Sequence, residues 1–243
     1  EEDKNAALLF DTYNEKVETL LSIKIGTVED NLCLSRIPGD ERSKICTPQE
    51  TLKNGSDIAT LVAHAFREMA KASDIAIQNG GGVRTDISSG DITMGDAYKL
   101  LPFANTLVEM DMSGAEIKLV LEEAIEYALQ PDGSDGAFPY AAGLRWHVDS
   151  TRASGNRLSK MEYKGRSDAD WVPLNMEKMY RIVTNNYIAA GRDGYLSFKT
   201  VKDDGRFEDT YLDYAQSFVD YVKDRGSIAK LPFSEYSTQS FVK

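Results

Sequence analysis

Histidine is nearly absent from this chain of 243 residues: His64 and His147 are the only two. Neither belongs to an H-x-H or H-E-x-x-H pattern, and no C-x-x-C pair accompanies them, so the usual metal-ligand spacings are missing. His64 falls in a helical pattern and His147 in a strand pattern; both are expected to be packed or surface residues, and no catalytic residue is assigned. Cysteine is equally scarce. Cys33 and Cys46 bracket a polar loop, where a bridge would close about 14 residues and contribute on the order of 3 kcal/mol in the chain-entropy view. The alternative is two unpaired thiols of a cytosolic protein; the disulfide is preferred because the loop has little apolar content to bury them. No apolar stretch approaches the roughly 20 residues that span a bilayer. No basic run offsets the net charge of −11, which excludes a surface that tracks a nucleic-acid polymer but leaves room for one small anion beside a local cation. There is no Walker loop and no Rossmann glycine spacing. The chain opens at Glu1-Glu2-Asp3 without a methionine or visible signal peptide, so a mature or excised fragment is expected.

What is present is an ordinary globular composition, 42% hydrophobic and 28% charged, long enough for a substantial core. Helical spacing covers Ala6 to Leu21, with Ala7, Leu8, Phe10, Val17, Leu20 and Leu21 on one stripe, leading into a strand from Ser22 to Val28. Ser56 caps a helix striped by Ile58, Leu61, Val62, Ala65, Phe66 and Met69. Asp74 to Gln78 reads as a buried strand and Asp91 to Leu100 as a short helix. Thr106 to Met112 alternates as a half-buried strand, with Glu109 and Asp111 on its polar face. Ser113 and Glu116 form a capping box for a helix to about Leu129. Pro131 to Ala142 reads as loop, Leu144 to Val148 and Ser159 to Tyr163 as a strand pair, and Met179 to Thr184 as another strand. A last helix is expected from Thr210 to Lys223. Without repeats, linkers or regular βαβ alternation, the pattern is a single α/β domain, or an α+β-like mixed sheet with flanking helices.

Three loops carry the chemistry. The first, Gln78-Asn79-Gly80-Gly81-Gly82-Val83-Arg84, lets backbone N–H groups approach a ligand and ends on a guanidinium suited to phosphate or ribose oxygens. Leu101-Pro102-Phe103-Ala104-Asn105-Thr106 and Asn185-Asn186-Tyr187 through Asp193-Gly194-Tyr195 add two rings, amides and a carboxylate. Each element has a plainer reading. The glycines make a tight turn, Phe103 plugs the core, Tyr187 is ambiguous, and Asp193-Gly194 is a turn. Taken together, two rings could sandwich a base at roughly 1–3 kcal/mol each, and Asp193 could accept bonds from two ribose hydroxyls.

In order and spacing, Asn79-Gly-Gly-Gly-Val-Arg84, Leu101-Pro-Phe103-Ala-Asn105 and Asn186-Tyr187-x-x-x-Gly191-x-Asp193-Gly194 resemble the C-terminal domain of the secreted 5'-nucleotidases. The likeness covers nearly the whole chain and is strongest to the bacterial periplasmic branch that includes NAD nucleotidases and UDP-sugar hydrolases. It implies that residues 1–243 form the nucleotide-recognition domain, with residues 1–21 part of, or next to, an interdomain helix. A metallophosphoesterase domain with two divalent metals would precede it, outside this chain, and the chain itself would hold no metal. Phe103 and Tyr187 would stack on the base, Asp193 would hold the ribose hydroxyls, and Arg84 would contact ribose or phosphate. Asn79, Gly81 and Asn105 would lie near the nucleoside. The family uses further arginines ahead of the glycine triplet, for which Arg36 and Arg42 are the candidates. Tyr187 stands where phenylalanine is frequent and Ala104 where glycine is common.

The implied protein is a periplasmic or extracellular 5'-nucleotidase acting on AMP, NAD or UDP-sugars, whose recognition fragment alone is expected to be inactive. Its partners would be a nucleotide and its own catalytic domain. The rival reading is a non-catalytic ligand-binding or adhesion module built on the same loops. An autonomous enzyme is disfavoured because no histidine lies in a motif loop.

Overall fold

The structure, a computed structural model, describes residues 4–243. Glu1-Glu2-Asp3 and the side chains of Lys4, Asn5, Ala7 and Leu8 lie outside the described residues. Helix α1 (Lys4–Leu21) leads into β1 (Lys24–Val28), and the Cys33–Cys46 disulfide is formed. After the single turn α2 (Pro48–Thr51), α3 (Asp57–Met69) begins at Ser56, whose side chain accepts from the Ala59 amide as an N-cap should. Next come β2 (Ile75–Asn79), β3 (Gly90–Thr93), α4 (Met94–Leu100), β4 (Thr106–Ser113) and α5 (Gly114–Leu129). The capping box of Ser113 and Glu116 is present at the start of α5. The second half holds β5 (Pro139–Ala142), β6 (Leu144–Asp149), β7 (Leu158–Tyr163), β8 (Val172–Pro173), β9 (Met179–Asn185), α6 (Asn186–Ala189), α7 (Leu196–Asp203), β10 (Phe207–Asp213), α8 (Tyr214–Arg225), β11 (Ser227–Ile228) and β12 (Thr238–Val242).

The central sheet has the order β10-β4-β9-β2-β5, flanked by smaller sheets β11-β1-β3 and β12-β6-β7-β8. Every residue of β2 is buried, which requires cover on both faces of the sheet. Helices α3 and α8 pack together on the sheet, and α5 and α7 form a second pair against it. The core joins these layers through side chains such as Phe66, Ile77, Met110, Leu121, Phe138, Tyr195 and Phe218. This is the single mixed α/β domain that the sequence implies.

Four local expectations differ. Asp91 to Leu100 is not all helix: Gly90–Thr93 pairs with β1, and the helix starts only where Thr93 and Asp96 build a capping box. The final helix begins at Tyr214, because Phe207–Asp213 is claimed by β4 as an antiparallel neighbour, leaving Tyr211 84% exposed. Within the expected loop Pro131 to Ala142, the last four residues pair with β2 as an edge strand, where a leading proline is tolerated. Glu109 is buried rather than on a wet face, because Ser73 Oγ and Arg181 Nε donate to its two oxygens at 2.8 and 3.0 Å.

Candidate functional site

Strand register brings the three motif loops to one end of the central sheet. β2 runs parallel to β9, with Ile75 opposite Ile182 and Ala76 opposite Val183, so both strands end together, at Asn79 and Asn185. β4 runs antiparallel, with Leu107 opposite Asn185, so the loop before it starts at the same level. Asn79 pairs with Pro139, which adds the segment around Ser134 and Gly136. The carboxyl ends of adjacent parallel strands are where open α/β sheets leave a crevice. Here that crevice is a cavity of about 260 Å³ lined by Asn79, Gly81, Gly82, Arg84, Phe103, Asn105, Tyr187 and Asp193, together with Arg36, Ser134 and Gly136.

Phe103 is no core plug. It and Tyr187 are each 44% exposed while lining the same cavity, whereas Phe138, Tyr195 and Phe198 nearby are fully buried. Two large rings held open to water are available for an incoming flat ligand. The Arg84 guanidinium lies 5.7 Å from the Phe103 ring centroid and donates to the Gly81 carbonyl at 3.1 Å. The Arg84 amide donates to the Leu100 carbonyl, which ties the glycine loop to the turn carrying Phe103.

Asp193 is more than a turn residue. It sits at φ 52°, ψ 35°, between Gly191 and Gly194, which also have positive φ; aspartate is among the few residues that tolerate this region. Asn79 Nδ2 donates to one of its oxygens at 2.9 Å and the Tyr187 hydroxyl to the other at 3.0 Å. Partial burial, and then the neighbouring Asp193 carboxylate, push the Tyr187 phenol above its ordinary range, so it remains a donor at neutral pH. A carboxylate accepts about four hydrogen bonds, so Asp193 keeps acceptor capacity for a ligand.

The disulfide loop supplies the cations. Arg36 and Arg42 each donate to Asp135 at 2.6 Å. Partial burial works to raise the Asp135 carboxyl, but the two arginine hydrogen bonds outweigh it and hold the carboxyl low. Arg36 lines the cavity and Arg42 does not. Arg36 Nε is buried without a partner, a state that costs free energy unless a ligand or water meets it. The loop is fastened by the Tyr140 hydroxyl, which donates to the Ser35 carbonyl at 2.7 Å and accepts from the Ser56 amide.

Beneath the cavity Asn79 rests on two further amides, Gln78 and Asn185, to which the sequence gives no individual role. Asn185 Nδ2 donates to Gln78 Oε1 and to Asn79 Oδ1, and Gln78 Nε2 donates to the Tyr214 hydroxyl. Gly82 gives these amides room: a Cβ there would stand 2.2 Å from Gln78 Nε2 and 2.4 Å from the Tyr214 hydroxyl. The sequence likewise gives no role to Ser134, Asp135 or Gly136; the run Asp132-Gly133-Ser134-Asp135-Gly136 is the signal, visible only as a turn-rich segment.

His64 Nε2 faces the Glu235 carbonyl and His147 Nδ1 faces Ser240. The grouping of ligand-type side chains nearest to a site is Cys33, Cys46 and Glu50, and its sulfurs are bonded to each other.

This mixed-sheet domain, with a pocket of rings, guanidinium and carboxylate at one sheet end, belongs to a recognised family. The profile of the 5'-nucleotidase C-terminal domain matches residues 24–202, and the chain is a member of it. The NAD 5'-nucleotidase of Haemophilus influenzae is 37% identical over 244 residues, covering 99% of this chain and 39% of that protein. The solved structure of the Haemophilus influenzae NAD nucleotidase superposes with a TM-score of 0.81 at 33% identity, over 99% of this chain and 42% of that one. A 5'-nucleotidase precursor from Thermus thermophilus gives 0.78 at 31% identity, over 99% of this chain and 43% of that one. The chain thus spans well under half the length of these relatives.

Proposed function

We propose that this chain is the nucleoside-recognition domain of a larger 5'-nucleotidase. The carrying observation is the cavity itself, in which two exposed rings, a positioned carboxylate and two arginines converge from four separated loops. In this reading Phe103 and Tyr187 sandwich the base, each contact contributing roughly 1–3 kcal/mol. Asp193, held by Asn79, accepts the vicinal ribose hydroxyls. Arg84 and Arg36 face the phosphate side, with Arg42 supporting Arg36 through Asp135, and Asn105 and the Gly81 backbone complete the polar lining. AMP, NAD and sugar nucleotides share the nucleoside that these groups would hold.

Hydrolysis is assigned to a metallophosphoesterase domain preceding this chain, because no donor set for the two metals is found among the described residues. The exposed apolar face of α1, with Phe10, Tyr13, Val17 and Leu20 all about half or more exposed, supports a place for residues 1–21 beside that domain. A disulfide persists in oxidising compartments, which is in keeping with a periplasmic or extracellular enzyme; no described helix is long and apolar enough to cross a membrane.

The test is a titration of the chain with AMP, adenosine and ribose 5-phosphate. Adenosine and AMP should bind saturably and ribose 5-phosphate much more weakly, since it lacks the stacked base. Equal binding of all three would overturn the base clamp. Metal-dependent phosphate release from AMP by the purified chain would overturn its assignment as a recognition domain alone.

A further inference from the structure

Asn185 does not line the cavity, is 1% exposed, and yet stands at the origin of the hydrogen bonds that hold Asp193. Its Oδ1 accepts from the Ile188 amide at 3.1 Å as the N-cap of α6. A backbone N–H can only donate, so this contact dictates which end of the Asn185 amide points which way. Nδ2 must then face away from α6, and it donates to Asn79 Oδ1 at 3.1 Å and to Gln78 Oε1 at 3.0 Å. Gln78 Nε2 reinforces the pattern, donating to the Tyr214 hydroxyl at 2.8 Å and lying 3.3 Å from Asn79 Oδ1. With its oxygen committed to these donors, Asn79 has only its NH₂ to present to Asp193, and it does so at 2.9 Å. Were the Asn79 amide reversed, its carbonyl would face a carboxylate oxygen, and the contact would repel.

We infer that Asn185 is a positioning residue for sugar recognition: through Asn79 it sets the direction of the hydrogen-bond relay that holds the Asp193 carboxylate in place to read ribose hydroxyls. The inference rests on the proposed nucleoside site for its ligand. The relay itself is a property of the chain without one. Burial makes the relay stiff, since Asn79, Gln78 and Asn185 are all 3% exposed or less and an unmet amide there is costly.

Two substitutions separate the relay from the cap. Asn185→Asp keeps the shape and the cap acceptor but replaces the donating NH₂ by an oxygen. Asn185→Ser is neutral, still a good N-cap, and too short to reach Asn79; it serves if the buried charge of the first prevents folding. Without ligand, the Asn79 side-chain amide protons should exchange slowly with solvent in the wild type and rapidly in either variant, as followed by NMR. Slow exchange retained in both variants would overturn the relay. With adenosine and 2'-deoxyadenosine as probes, the wild type should prefer the ribonucleoside. The variants should lose roughly tenfold to hundredfold in adenosine affinity and most of that preference. A merely structural role would weaken both nucleosides alike and leave their ratio unchanged, which would also overturn the inference. If the wild type binds neither nucleoside, the site assignment fails, and the exchange experiment still decides the relay.

Discussion

Asn79 and Asp193, 114 residues apart in the chain, meet through an amide-to-carboxylate hydrogen bond of 2.9 Å at the floor of the cavity. Asp193→Asn should therefore weaken adenosine binding about tenfold, since asparagine tolerates the same backbone region but carries no charge for a diol. The thermal midpoint should change little. Titration calorimetry and a melting curve on the same variant separate the two effects.

Phe103 is half-exposed and Phe138 fully buried, so the two phenylalanines should respond oppositely to truncation. Phe103→Ala is expected to remove roughly 1–3 kcal/mol of nucleoside binding with almost no loss of stability. Phe138→Ala should destabilise the fold by about 3–5 kcal/mol. Urea unfolding and ligand titration of both variants check the contrast.

Tyr187→Phe keeps the ring and deletes only the hydroxyl that bonds Asp193 at 3.0 Å. The expected result is a loss of affinity of a few-fold, well short of the loss for Tyr187→Ala, measured with the same nucleoside. Equal losses for both would mean that the ring contributes nothing.

Reducing the Cys33–Cys46 bond, or replacing both cysteines by serine, frees the loop that carries Arg36 and Arg42. Stability should fall by about 3 kcal/mol. Affinity for AMP should fall more than affinity for adenosine, because the proposed binding mode turns Arg36, with Arg42 supporting it, towards the phosphate. Denaturant titrations with and without reductant, and paired ligand titrations, test both halves.

Glu116 is held down to about 2, chiefly by hydrogen bonds from Arg206, against opposing burial and with help from Ser113. A depressed carboxyl contributes stability in full above its ordinary value of 4.5, and loses that contribution as the pH falls through this range towards about 2. Glu116→Gln preserves the capping box but not the charge. The stability gap between wild type and variant should therefore close as the pH falls from 4.5 towards 2; a gap independent of pH would contradict the assignment.

Much of the fold was legible in the sequence where short-range chemistry decides it. Ser56 and the Ser113–Glu116 pair marked helix starts because a side-chain oxygen three residues before a backbone N–H acts locally. The sequence starts the last helix too early because Tyr211 and Leu212 continue the apolar period of α8 backwards, and only pairing with the distant β4 turns them into strand. In the site, Phe103, Tyr187, Asp193 and Arg84 stood out because rings, charges and glycines are conspicuous in loops. Gln78 and Asn185 did not: an amide at a strand end looks like any turn residue until the parallel register of β2 and β9 places the two side by side. Arg36 and Arg42 could be named but not separated, since which of them reaches the cavity depends on where Asp135 lies.

The central claim, that Phe103 and Tyr187 clamp a base over Asp193, is tested most directly by calorimetric titration of adenosine into the wild-type chain and into the Phe103→Ala, Tyr187→Ala double variant. Saturable binding in the wild type that vanishes in a folded double variant is the predicted result. Undiminished binding in the double variant, or no heat from the wild type at millimolar adenosine, would contradict it.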